Sequence, residues 1–221
     1  MYNVKFIRLL DNATKYSYTN FGLLLAPVSI DLPQVKTNYV TIPGRNGDLD
    51  LSEAFGRVNY SNRTIKLTFT MSVGIADMYA KYSDISKFLH GQKVKVFLPQ
   101  DEGFYYVGRC QVGTMDRAKR TNQITVTMNA EPFKYVEEET VVEFDIGDLP
   151  YTKIINNLYM PVTPLITTTD NVVFEFNGAT YSFNSGQHLN SAIVLAPGNN
   201  TFIFKEGSSG SVTFEYTEGT L

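Results

Sequence analysis

The residues of this chain best placed for chemistry lie in one stretch, Val40-Thr41-Ile42-Pro43-Gly44-Arg45-Asn46-Gly47-Asp48-Leu49-Asp50-Leu51-Ser52-Glu53-Ala54-Phe55. Asp48 and Asp50, two apart on a strand, project to the same face, and Glu53 follows. Carboxylates so placed could hold a hard cation or share acid–base work. The ligand spacing of a calcium loop is missing, so a solvated strand face beside a turn is the reading. Gly44-Arg45-Asn46-Gly47 invites comparison with a phosphate cradle, but such a loop opens a helix and here a strand follows. Nucleophilic catalysis needs a nucleophile with a positioned base. The chain offers Cys110 and two histidines, His90 and His188, none of them in a catalytic motif. Cys110 lies between Val107 and Val112 in a strand-like run, where a buried, inert thiol is expected. His90 ends a helix, where the dipole favours a cation, and His188 stands in a loop after Ser185-Gly186-Gln187. No catalytic, cofactor-binding or metal-ligating set emerges. The chain reads as a non-enzyme that needs no cofactor.

The elements that carry these residues are mainly strands. Phe, Tyr, Val, Ile and Thr are plentiful and Trp is absent, a mixture suited to β structure. A chain of 221 residues can bury roughly 70% of its unfolded surface, as one large β domain or two small ones. Net charge is −3 with the signs interspersed, which argues against a nucleic-acid or anionic-membrane partner. The densest basic run, Arg117-Ala118-Lys119-Arg120, reads as a solvated hairpin turn. With a single cysteine no intrachain disulfide forms. No secretory h-region opens the chain and no apolar run is long enough to span a membrane. The Asn-x-Thr sequons at Asn12, Asn62 and Asn199 are therefore taken as chance, and assembly in a cytoplasm is expected.

Asn3 to Leu10 reads as an opening strand, Asp11 to Ser17 as its turn, and Tyr18 to Pro33 as a poorly periodic segment of irregular strands. Val35 to Ile42 and Asp48 to Phe55 flank the turn Pro43-Gly44-Arg45-Asn46-Gly47. Pro43 fixes φ and lacks a donor while Gly44 and Gly47 accept positive φ, so the backbone reverses there. Leu49, Leu51 and Phe55 then share one side and Asp48, Asp50 and Ser52 the other. A further strand from Tyr60 to Met71 puts Ile65, Leu67 and Phe69 on one face. After Gly74 the period changes: Met78, Tyr82, Ile85 and Leu89, widened by Tyr79 and Phe88, make the stripe of the one amphipathic helix, with Gly91 just past its end. Lys93 to Leu98 and Phe104 to Gln111 form a hairpin around Pro99 to Gly103, and Ile124, Val126 and Met128 alternate in the next strand. The run Glu137-Glu138-Glu139 marks a domain boundary, giving domains 1–136 and 137–221. Beyond it strands are expected at Pro164 to Thr168, Val172 to Phe176, Thr180 to Phe183, Ser191 to Leu195, Thr201 to Lys205 and Ser211 to Tyr216. Asn177-Gly178 is a strong hairpin turn among them. This is the grammar of a small sandwich or jelly roll. Tyr181, Phe183 and Tyr216 could stack on sugar rings, so a carbohydrate-binding β-sandwich module for host-surface glycans is the alternative function.

The order of these features resembles the distal tail proteins of long, flexible-tailed bacteriophages. It runs from Ile42-Pro43-Gly44-Arg45-Asn46-Gly47 and Asp48-Leu49-Asp50 through Tyr60, Arg63 and the Ile65-Leu67-Phe69 strand. It continues with a helix ending at Leu89-His90-Gly91 and a strand closing in Ala130-Glu131-Pro132-Phe133-Lys134-Tyr135. Asn156-Asn157, Pro164, Leu195-Ala196-Pro197-Gly198-Asn199-Asn200 and Phe214-Glu215-Tyr216 extend it to most of the chain. The resemblance implies an N-terminal β-sandwich-like, ring-forming domain with one helix and an extended β-hairpin, and a C-terminal galectin-like sandwich. It implies a hexameric ring at the virion tail tip, assembled in the bacterial host cytoplasm. That ring joins the tail tube protein to the tail-associated lysin or fibre hub for host adsorption, with the tape-measure protein as a further partner. Neither sequence-specific nucleic-acid binding nor membrane insertion belongs to this picture. The hairpin residues Pro43, Gly44, Arg45, Asn46 and Gly47 are expected at the tip that holds a neighbouring subunit, since a ring needs a heterologous interface and an added strand can supply one.

Overall fold

The computed structural model describes residues 3–54, 56–72, 77–115 and 123–221. Phe55, Gly74 and the run Arg117 to Arg120 lie outside them. The chain is 52% strand and 8% helix, so it is mainly β as its composition indicates. It divides into two compact units, one ending at Lys134 and also holding Leu221, the other Tyr135–Thr220.

The first unit runs β1 (Lys5–Arg8), β2 (Thr14–Tyr16), α1 (Ser17–Phe21), β3 (Leu23–Ile30), β4 (Val35–Lys36), β5 (Tyr39–Val40), β6 (Leu49–Asp50), β7 (Asn59–Tyr60), β8 (Arg63–Met71), α2 (Met78–Leu89), β9 (Lys93–Phe97), β10 (Phe104–Val112) and β11 (Gln123–Val136). Its main sheet has the order β2-β1-β9-β10-β11-β8-β3. Three strands separate β1, which carries Phe6, from β8, which carries Phe69, in that order, yet the two ring centroids are 6.4 Å apart. The sheet therefore curls over on itself, which is how one sheet makes a sandwich-like core. Alternation decides which side chains enter it. Ile65, Leu67 and Phe69 of β8 and Ile124, Val126 and Met128 of β11 are fully buried, and the two strands pair with Ile124 opposite Phe69. Gly108 lets β10 lie close to β11: a Cβ there would stand 2.4 Å from the Asn129 carbonyl oxygen.

Helix α2 delivers Met78, Ile85, Phe88 and Leu89 to the core, and Gly91 takes φ +74° just beyond it. Two expectations of this unit need correction. Tyr79 does not widen the buried stripe; it is 56% exposed, because only the edge of the helix carrying Met78, Ile85 and Leu89 meets the core. The helix is also not alone. Ser17–Phe21 forms a single turn of helix closed by Gly22 at φ +66°, inside a stretch read as turn and irregular strand, and Thr14–Tyr16 pairs with β1.

The second unit continues with β12 (Thr140–Asp145), β13 (Tyr151–Asn157), β14 (Leu165–Thr168), β15 (Val172–Phe176), β16 (Ala179–Phe183), β17 (Gly186–Leu189), β18 (Gly198–Phe204), β19 (Ser211–Tyr216) and β20 (Gly219–Thr220). Two sheets, β12-β19-β14-β17 and β13-β18-β15-β16, form a sandwich. Its core is largely aromatic: Phe176 stacks on Phe202 at 4.5 Å, and Phe202 meets Phe214 of the other sheet at 4.8 Å. Buried amides fasten the connections. Asn157 donates to the carbonyls of Met160 and Leu195, and Asn200 donates to those of Ile155, Ala196 and Gly198. Ser191 to Leu195 is not the strand its alternation suggested. The Asn190 side chain takes the Ala192 N–H and its carbonyl takes the Ile193 N–H, so a turn forms and Leu195 makes only an isolated bridge with Val162.

Candidate interaction surface

Residues 34–57 form an arm between β3 and β8. It is held by two very short antiparallel ladders: Val35 opposite Tyr60 with Lys36 opposite Asn59, and Tyr39 opposite Asp50 with Val40 opposite Leu49. The long hairpin expected from Val35 to Phe55 is thus interrupted. Between the ladders the Leu51 N–H donates to the Asn38 carbonyl at 2.8 Å, and side chains add further ties along the arm. Ser52 Oγ accepts the Asn38 N–H at 2.9 Å, Asp50 accepts the Ser52 N–H at 2.9 Å, and the Thr41 hydroxyl donates to Asp48 at 2.8 Å. The acidic pair that looked suited to a cation is therefore engaged in holding the arm. Hydrogen bonds from the Ser52 side chain and backbone and from Tyr39 hold the Asp50 carboxyl below its ordinary value. Among the described residues no three His, Cys, Asp or Glu side chains gather as a metal cluster.

Pro43 to Gly47 close the arm. Gly44 and Gly47 take φ +82° and +75°, which a side chain would strain, and the Arg45 N–H donates to the Ile42 carbonyl at 3.1 Å. Pro43, Gly44, Arg45, Asn46 and Gly47 are all exposed. At the arm's base Tyr60 sets its ring edge against Phe133 at 5.9 Å.

The decisive property of the arm is that none of its described residues is buried. Val35, Tyr39, Val40, Ile42 and Leu51 are all at least one-third exposed, Tyr39 at 57%. A two-stranded ribbon is marginal in water without a third strand or a packed face. Open apolar side chains and free strand edges together are the features of a surface made for another polypeptide. Turn chemistry and alternation located this arm; its lack of any core partner was not visible in the sequence, where Leu49 and Leu51 read as the inward side of an ordinary strand.

The other candidates resolve into structural roles. Cys110 is 1% exposed, and burial pushes its thiol up to about 12, away from the thiolate a nucleophile needs. His90 does close α2, and its Nδ1 accepts the Val112 N–H at 3.2 Å, a tie to β10. His188 stacks on Phe183 at 4.4 Å with Nε2 2.7 Å from the Asn184 carbonyl oxygen. The three aromatics offered as a sugar platform face the core: Tyr181 stacks on Phe174, Phe183 meets the same ring, and Tyr216 is 3% exposed with its hydroxyl donating to the Asn156 carbonyl. Among the described residues no helix is long and apolar enough to cross a membrane.

No protein-family model matches the sequence, and no curated protein matches it. Solved structures do. One is the SPP1 Dit (gp 19.1) protein, described as a paradigm of the hub adsorption apparatus in phages infecting Gram-positive bacteria. It shares 16% sequence identity with this chain, superposes with a TM-score of 0.66, and the match covers 99% of both chains. The mainly β, sandwich-like fold expected from the order of sequence features is the one found.

Proposed function

We propose that this chain is a structural component of a phage or prophage tail tip, and that it forms a hexameric ring. That ring would connect the tail tube to the tail-associated lysin or fibre hub during host adsorption. Residues 1–136 build the ring and residues 137–221 form the second, galectin-like sandwich domain. The observation that carries this reading is the coreless arm of residues 34–57, set in a fold that matches a Dit protein along its whole length. Each arm lies against the neighbouring copy, its tip at Pro43 to Gly47, and the closing interface is head-to-tail. Apolar burial of Tyr39, Val40 and Ile42 and main-chain pairing at the arm's open edges supply the contact.

The test is size-exclusion chromatography with light scattering over a concentration series. A six-copy species that Ile42→Asp reduces to monomer supports the ring, whereas a wild-type monomer stable at all concentrations overturns it. With Asn46→Cys and a short thiol crosslinker, bonds between subunits are expected; bonds confined within one subunit of an assembled ring would place the tip elsewhere.

A further inference from the structure

The chain contains two Asn-Gly pairs, Asn46-Gly47 and Asn177-Gly178. Asparagine before glycine is chemically labile because no side chain on the next residue hinders approach to its amide. Both asparagines are exposed, so solvent access does not distinguish them. Their support does. Asn177 and Gly178 sit at φ +50° and +77°, the two positive values of a type I′ turn, directly between the paired residues Phe176 and Ala179. The strand before the turn, β15, carries Val172, Phe174 and Phe176 into the core, each at most 1% exposed. That turn cannot change its dihedrals unless the hairpin opens.

Asn46 is held by nothing comparable. The nearest ladder pair, Val40 with Leu49, stands six residues before it and three after, on a strand of two residues. Its side chain takes part in no hydrogen bond, and the space beside Gly47 is empty out to 4 Å. The backbone here can rotate to bring the Gly47 nitrogen against the Asn46 side-chain carbonyl carbon.

We propose that Asn46 is a site of spontaneous covalent modification at the arm tip. The Gly47 backbone nitrogen loses its proton and attacks Asn46 Cγ. A C–N bond forms, the Cγ–Nδ2 bond breaks, and the departing nitrogen leaves as ammonia with that proton. Water then opens the resulting succinimide at either carbonyl, giving aspartate or isoaspartate. The net change is one amide and one water converted to one carboxylic acid and ammonia, with no redox step. The product adds a negative charge between Arg45 and Asp48 and, as isoaspartate, an extra backbone carbon within the turn. A chain with an old tip thus differs in charge and in shape from a new one.

The full-length chain, kept monomeric by Tyr39→Ala so that a neighbouring copy cannot cover the tip, is incubated in mildly alkaline buffer and mapped by mass spectrometry, scoring conversion at both pairs and separating aspartate from isoaspartate. Asn46 is expected to convert roughly tenfold faster than Asn177 or more, the factor that about 1.4 kcal/mol of hairpin opening imposes. In denaturant the two rates converge, since only local sequence then remains. Asn46→Gln removes the fast phase and leaves the slow one unchanged. Equal rates in the folded chain, Asn177 leading, or a ratio that survives denaturation each overturn the proposal.

Discussion

The hairpin at Pro43 to Gly47 and the hairpin at Asn177-Gly178 are built with similar turn chemistry and supported in opposite ways. Each places glycine at positive φ between short paired strands. The second buries Val172, Phe174 and Phe176 against a neighbouring sheet, while the first buries nothing among its described residues. A turn sequence therefore specifies reversal of the chain but not the stability of what it joins. Stability comes from the third layer, and only one of the two hairpins has it within its own chain.

The contrast can be broken at its strong end first. Phe174→Ala removes a fully buried ring that touches Tyr181, Phe183, Phe202 and Phe204, and should cost about 3–5 kcal/mol in chemical denaturation. Gly108→Ala acts through backbone: its Cβ would meet the Asn129 oxygen at 2.4 Å and the Ala130 Cα at 2.6 Å, with no flexible side chain to yield. A loss of about 1–3 kcal/mol is expected from such overpacking, read from the same denaturation midpoints. Asn157→Leu keeps the volume but removes the amide that donates to the Met160 carbonyl and leaves the Leu195 carbonyl with the Val162 N–H alone, costing about 1–3 kcal/mol. At the weak end, Tyr39→Ala and Ile42→Asp should each leave the free chain within about 0.5 kcal/mol of wild type while abolishing assembly in light scattering. A core-like loss from either arm variant in the monomer would show that the arm folds back on its own chain.

Titration of Asp50 gives the smallest effect. Its carboxyl is held below the ordinary value by Ser52 and Tyr39, so the bonds it accepts are fully present above the unfolded carboxylate pKa and fade as pH falls through the lower folded one. Its NMR midpoint should lie below about 3.9, and Ser52→Ala should move it upward.

Much of this fold was legible because long periodic elements outvote local exceptions. Nine residues of β8 and twelve of α2 give several full periods, and apart from Tyr79 their core faces are those the pattern indicated. Helix α1 has five residues, fewer than two turns, and no period can declare itself at that length. The edge strands β12, β13 and β17 were missed where polar or irregular positions interrupt alternation, as at Lys153 and Asn157. Ser191 to Leu195 erred the other way: Ile193 and Leu195 alternate and are buried, but Asn190 captures the backbone before it can pair. For the arm, the turn could be read directly, since glycine and proline act on their own backbone. What the rest of the arm touches is a question of tertiary space, and alternation is the same whether the apolar side meets a core or open solvent.

The emptiness of the arm's interior has a calorimetric consequence. Unfolding of the free chain should carry the heat capacity of two cores and only a small share from residues 34–57, because none of the arm's described residues is fully buried on folding. If the arms close against neighbours, that missing increment reappears as a negative heat-capacity change of association. The apparent melting temperature would then rise with protein concentration, since the arm's share of the stability belongs to the encounter between copies.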